Sequence, residues 1–143
     1  MLRAGTAPLV LVVDDNVDTR RMYAGYLRAV GYRVAVASEG EEAVAKARAL
    51  HPAAIVLDLS MPGLDGWGAM RDLQADARTT TIPVVVLTGH DLKAHLKRAA
   101  ISAGAVSYLM KPCLPEQLER EVAWRISTQL DADSRSRRLA SAE

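Results

Sequence analysis

The sequence predicts an α/β domain: a five-stranded parallel sheet, doubly wound, with helices on both faces. Three observations carry the prediction. Five short runs are continuously apolar and mostly β-branched, the pattern of strands buried on both sides. Helix-like stretches separate them, giving five βα units, an alternation that implies a parallel sheet whose topology right-handed crossovers prune further. Four of the runs end in residues that a metal ion or a phosphate would attract: Asp14-Asp15, Asp58, Thr88 and Lys111.

Leu9–Val13 is the first strand. Asp18 to Val30 follows as a helix, with Met22, Tyr26 and Val30 at fourfold spacing as its apolar stripe and Gly31 as its terminator. Arg33–Ala37 is the second strand. Ser38 is placed to cap the next helix, with Glu41 completing a capping box and Ala43, Val44 and Ala47 facing inward. Ala54–Leu57 is the third strand, and a helix holding Trp67 and Met70 starts at Asp65 or Gly66. Val84–Leu87 is the fourth strand, opened by Pro83, where proline is tolerated. Asp91 is a candidate cap for a helix that ends before Gly104. Val106–Met110 is the fifth strand. Pro115 begins the last helix, where its missing N–H costs nothing, and Leu118, Val122 and Ile126 form its stripe to about Gln129.

Composition narrows the function class. The chain has 143 residues, half of them apolar, enough to bury a core without disulfides or a structural metal. A net charge of +1, from 18 basic and 17 acidic residues, gives no argument for nucleic acid or a membrane surface. No run approaches the roughly 20 apolar residues of a membrane span, and no secretory signal is visible. Cys113 is the single cysteine, so no internal disulfide forms, which fits a cytoplasmic setting. The expected organisation is a flexible N-terminus over 1–7, the domain over 8–129, and a polar tail or frayed helix over 130–143.

Open α/β sheets bind ligands outside the carboxyl ends of their strands, so the four strand ends form one candidate site. Three carboxylates, Asp14, Asp15 and Asp58, repel each other there, and a divalent cation offsets the repulsion. An all-oxygen donor set suits Mg²⁺, and no His–Cys cluster offers a zinc site. Lys111 adds an ammonium and Thr88 a hydroxyl, so the set matches the three oxygens of a phosphoryl group. Asp58 is then the candidate nucleophile.

The segments Val12-Val13-Asp14-Asp15-Asn16, Asp58-Leu59-Ser60-Met61-Pro62-Gly63-Leu64-Asp65-Gly66, Leu87-Thr88-Gly89 and Tyr108-Leu109-Met110-Lys111-Pro112 resemble the receiver domain of bacterial two-component response regulators. The resemblance covers roughly Pro8 to Thr128 and implies the flavodoxin-like strand order 2-1-3-4-5. It implies Asp58 as phosphoacceptor, with Mg²⁺ held by Asp15, Asp58 and the carbonyl of Ser60, and by Asp14 through water. It implies Lys111 paired with Asp58 or its phosphate, Thr88 moving to the phosphoryl group, Tyr108 as the switch aromatic, and a cis Lys111–Pro112 bond. The implied partners are a sensor histidine kinase or a histidine phosphotransfer protein. The chain is then a signalling switch rather than a turnover enzyme. Gly89 departs from the family's usual alanine, and Ser60 and His90 occupy positions that tune dephosphorylation.

Other readings are weaker on the residues. A phosphate-independent binding module has no use for an intact acid set. An aspartyl phosphatase keeps a second aspartate two positions after the nucleophile, where Ser60 stands. A flavin carrier needs a phosphate loop after the first strand, and Asp14-Asp15-Asn16 would repel the phosphate. His51, His90 and His95 read as surface residues, Cys113 as a packed thiol, and Asp65-Gly66 as turn chemistry. Arg135, Arg137 and Arg138 read as a solvated end. Trp124 falls opposite the stripe of the last helix and is expected to be exposed. With the fourth helix and fifth strand, which the resemblance implies as the partner surface, it marks a candidate partner or homodimer face.

Overall fold

The structure, a computed structural model, describes residues 7–59, 66–89 and 94–142, with side chains from 97 to 141 in the last segment. Five parallel strands form one sheet: β1 (Leu9–Val13), β2 (Arg33–Ala37), β3 (Ala54–Leu57), β4 (Val84–Thr88) and β5 (Ser107–Met110), in the order β2-β1-β3-β4-β5. The helices between and after them are α1 (Val17–Ala29), α2 (Gly40–Leu50), α3 (Gly66–Ala75), α4 (Ala94–Ser102) and α5 (Pro115–Ala142). This is the predicted fold class and strand order.

Alternation along the strands divides the core. Leu11, Val13, Ile55, Leu57, Val84 and Val86 point to the face covered by α2, α3 and α4, meeting Val44, Met70, Leu73 and Ala100. Val10, Val12, Val56, Val85 and Leu87 point the other way, to Tyr23 and Leu27 of α1 and to Leu118, Val122 and Ile126 of α5. Both faces are apolar, which is why the strands read as unbroken hydrophobic runs. β1 lies between β2 and β3, so the chain reverses direction across the sheet at β1 and β3. The carboxyl ends of those two strands carry Asp14-Asp15 and Asp58.

Several local expectations change. The α1 stripe is Tyr23, Ala24 and Leu27, whereas Met22 and Val30 are 48% and 45% exposed. Spacing of the largest apolar residues picked the wrong face, because the packed face includes a small residue, Ala24, and Val30 is the helix cap. Asn16 caps α1, accepting from the Thr19 N–H at 2.9 Å, and Gly31 follows it with φ +111°, the left-handed conformation that glycine tolerates best. At α2 the cap position is Glu39, with no side-chain bond, and Ser38 instead donates its N–H to Glu42 at 2.7 Å. The box is closed one residue later than expected. α5 continues beyond Gln129 to Ala142, with Leu130 and Leu139 exposed on the extension. The proposed cap Asp91 lies outside the described residues, as do Ser60, Asp65 and His90.

Tyr32, after α1, donates to Glu119 of α5 at 3.0 Å and so joins the two helices of one layer. Burial, then the Glu119 bond and charge, hold the Tyr32 phenol well above its ordinary value of 10.0. Tyr23 and Tyr108 are raised by burial first as well. A group whose folded pKa is raised keeps its contribution below the unfolded pKa and loses it as pH rises through the folded value. Urea midpoints are therefore expected to be flat from about pH 7 to 9 and to fall above about pH 10, where unfolded tyrosines ionise freely. Tyr32→Phe flattens that alkaline decline; an unchanged pH slope in Tyr32→Phe contradicts the assignment.

Candidate phosphoryl and metal site

The strand ends place their polar residues on one rim. β1 pairs with β3 in the register Val13↔Leu57, so Asp14 and Asp58, each one residue further on, emerge side by side. The Asp58 N–H donates to the Val13 carbonyl at 3.1 Å, which extends the ladder to the edge of the site. Carboxylate oxygens of Asp14, Asp15 and Asp58 all lie within 4.8 Å of one another. Asp14 and Asp58 are buried and Asp15 is exposed. Asp14 accepts the Asn16 N–H at 2.9 Å, and the Arg20 guanidinium donates to the Asp14 carbonyl at 2.8 Å, so the loop into α1 is pinned from both sides.

Lys111 enters from β5. Its N–H donates to the Thr88 carbonyl at 2.9 Å, and its peptide bond to Pro112 is cis. The ammonium lies 2.5 Å from Asp14 and 3.5 Å from Asp58. The Asp58 pairing that the resemblance implies is present, and Asp14 is a second and closer partner. Burial opposes the Lys111 charge, but the bond to Asp14 and the field of Asp58 outweigh it and leave the ammonium harder to deprotonate than usual. Among the described residues, one ammonium, that of Lys111, lies within 3.5 Å of two of the three carboxylates, Asp14 and Asp58. A divalent cation fits this donor set: three oxygen-bearing acids in reach of one point, with excess negative charge for it to neutralise.

The Thr88 hydroxyl is buried at the end of β4 and has no hydrogen-bond partner among the described residues. The Tyr108 hydroxyl is in the same condition, and the charge of Asp58 reaches it. Buried polar atoms are nearly always satisfied, so these two hydroxyls point to a group that arrives later or to a second conformation. Trp124 is 54% exposed on α5, and the Arg125 guanidinium lies 4.2 Å from its ring centroid. Beside it, Arg125 donates to Ser107 at 2.7 Å, and Ser107 hydrogen-bonds Glu121. Glu121 and Arg125 stand at i,i+4 on α5 and form a pair readable from their spacing; the addition of Ser107 depends on which turn of α5 crosses β5.

The response regulator receiver model matches residues 10–123. The chain belongs to the response regulator receiver family. A receiver domain of sensor histidine kinase PA1611 from Pseudomonas aeruginosa is 30% identical with a TM-score of 0.78, over 85% of this chain and 99% of that one. Its described crystal form has a magnesium ion coordinated in the active site cleft. Chemotaxis protein CheY4 of Vibrio cholerae is also 30% identical with a TM-score of 0.78, over 82% of this receiver and 98% of that chain. Among curated relatives, "Probable transcriptional regulator ycf27" of Cyanophora paradoxa is 36% identical over 113 residues, which is 79% of this chain and 46% of the relative. "DNA-binding response regulator MtrA" of Mycobacterium tuberculosis is 32% identical over 134 residues, 94% of this chain and 57% of the relative. The receiver thus spans about half the length of the curated relatives it matches.

Crowding of acids makes a prediction, and the geometry selects the residue. Sequence reasoning points to Asp14 as the acid whose neutralisation should stabilise the metal-free protein. Asp14, however, is the nearest partner of Lys111, so its removal also breaks an ion pair. Asp15, exposed, has no ion pair with Lys111. Asp15→Asn is expected to raise the metal-free Tm by about 3 °C and to abolish the rise in Tm that Mg²⁺ gives the wild type. A Tm that falls in Asp15→Asn, or one that still rises with Mg²⁺, contradicts the crowded-acid account.

Proposed function

We propose that this receiver is a phosphorylation switch. Asp58 takes a phosphoryl group from a phosphohistidine on a sensor histidine kinase or phosphotransfer protein, in a cytoplasmic setting. A carboxylate oxygen of Asp58 attacks phosphorus, the P–N bond to the donor imidazole breaks, and the imidazole leaves with the electron pair. Asp15 and Asp58 would hold Mg²⁺ directly, with the Ser60 carbonyl as a further ligand and Asp14 acting through water, and the ion would supply neutralising charge to the phosphoryl oxygens. Lys111 supplies a second positive charge, and Thr88 a hydroxyl donor. Such a transfer needs positioning and charge neutralisation more than covalent help from the protein.

The observation that carries this reading is the convergence of the Asp14, Asp15 and Asp58 carboxylates with the Lys111 ammonium, together with two buried hydroxyls, Thr88 and Tyr108, that have no hydrogen-bond partner among the described residues. A phosphoryl group on Asp58 adds up to about two negative charges and three acceptor oxygens. Thr88 gains a partner by turning toward it, and Tyr108 follows into the space released. The group binds one arrangement better than the other, and each tenfold shift needs about 1.4 kcal/mol of difference, within the range of a charge-assisted bond.

The exposed apolar residues Val17, Met22 and Leu114 lie on α1 and on the loop into α5 and frame the approach of the donor. The readout face is α4, β5 and α5, where Ile101, Met110 and Trp124 are exposed. It takes a protein partner or a second copy of this receiver. MtrA is by its name a DNA-binding protein. The receiver's own charge is nearly balanced, so we assign any DNA contact of the full protein to residues outside 10–123. The test is uptake of one phosphoryl group at Asp58 from a small phosphodonor with Mg²⁺.

A further inference from the structure

We infer that Tyr23 is a positioning residue for Lys111: its hydroxyl ties the loop that carries the ammonium to α1. The inference rests on the proposed role of Asp58 as phosphoacceptor. Tyr23 is 3% exposed, and its hydroxyl donates to the Cys113 carbonyl at 2.6 Å, a bond spanning 90 positions in the chain. Upstream, the Lys111 N–H is fixed to the Thr88 carbonyl. Downstream, the Tyr23 bond holds the loop two residues later. Lys111 and Pro112 lie between these two anchors.

The loop needs the second anchor because its outer side is not packed. Tyr23, Met22, Gly89, Lys111, Pro112 and Leu114 are among the walls of an open cavity of about 610 Å³. Pro112 and Leu114 are exposed. Side-chain contacts from that direction do not fix where the ammonium sits.

The other end of the tether is itself fixed to the acids. Arg20, one turn before Tyr23 on α1, donates to the Asp14 carbonyl. Asp14 and Lys111, which meet at 2.5 Å, are thus both referenced to α1: the one by Arg20, the other by Tyr23. Loss of the Tyr23 hydroxyl leaves the ring and the buried Cys113 side chain packed and removes only the bond that fixes the loop backbone at Cys113. The ammonium then samples positions away from Asp14 and Asp58, and displacements near 1 Å in a transfer site slow the reaction substantially.

Tyr23→Phe isolates the hydroxyl. With phosphoramidate as donor, the phosphorylation rate at saturating donor is expected to fall roughly tenfold. The half-saturating donor concentration and the Mg²⁺ Kd should stay within about twofold, because Asp15 and Asp58 are untouched. In a Lys111→Ala background, Tyr23→Phe should have no further effect, since Tyr23 acts through Lys111. A wild-type rate in Tyr23→Phe, or an equal slowing in the Lys111→Ala background, overturns the inference. The ¹H–¹⁵Nζ signal of Lys111, protected from exchange by the Asp14 ion pair, reads the same placement with no donor present. It should broaden or move in Tyr23→Phe; a signal unchanged from wild type overturns the inference even if the protein takes up no phosphate. Wild type that takes up none, with a shifted Lys111 signal in the variant, sinks the phosphoacceptor reading instead and leaves the tether standing.

Discussion

Lys111→Ala is expected to lower the stability of the metal-free protein by roughly 3 kcal/mol and to slow phosphoryl uptake by about 100-fold. The ammonium lies between Asp14 and Asp58, whose side chains are only 6% and 4% exposed. Its removal leaves two buried carboxylates side by side, with Asp15 close by, and takes away the positive charge that lies within 3.5 Å of both. Breaking one side of a buried ion pair costs more than the pair itself contributes, because the surviving charge stays desolvated. Mg²⁺ supplies positive charge at the same acids, so the deficit should be largest in EDTA and should shrink as Mg²⁺ is added. Urea unfolding of both proteins with and without Mg²⁺ checks this. Equal stability of wild type and Lys111→Ala in EDTA contradicts the charge balance described for the rim.

Gly66→Ala is expected to cost about 3 kcal/mol and to weaken Mg²⁺ binding together with the fold. A Cβ at Gly66 would stand 2.3 Å from the Asp58 carbonyl oxygen and 2.3 Å from the Leu59 Cα. Both are backbone atoms, so no side chain can swing away to make room. The first turn of α3 therefore presses directly on the segment that carries Asp58, and a methyl group pushes the two apart. Gly25→Ala is the control. It lies in α1 with nothing within 4 Å of the added Cβ, and should gain about 0.5–1 kcal/mol from helix propensity. If Gly66→Ala unfolds at the wild-type urea midpoint, the close approach is wrong.

The rim was legible because its residues follow buried strands immediately. Once Leu9–Val13, Ala54–Leu57 and Val84–Leu87 are parallel, Asp14, Asp58 and Thr88 must share an edge, and no side-chain detail is needed to say so. What the residues next to them do was less legible. Lys111 was expected on Asp58 and pairs with it, but its shorter contact with Asp14 depends on loop position and was not foreseen. Gly66 read as turn chemistry, although its role is contact with a strand end that is eight positions away in sequence.

Periodicity failed on α1 for a related reason. Met22 and Val30 are the larger apolar residues, but the layer between α1 and the sheet is closed by Tyr23, Ala24 and Leu27. A spacing rule weighted by size passes over alanine. It also cannot see that Tyr23 has a polar task at its far end. In the link of Ser107, Glu121 and Arg125, the i,i+4 pair on α5 is visible in the sequence, but the part played by Ser107 is a property of two elements crossing.

The central claim is that Asp58 accepts the phosphoryl group. Intact-mass measurement after incubation with phosphoramidate and Mg²⁺ tests it most directly. Wild type should gain the mass of one phosphoryl group, lose it again on standing, and show no gain in EDTA, while Asp58→Asn should show no adduct under any of these conditions. No adduct in the wild type, or one that persists in Asp58→Asn, would contradict the account.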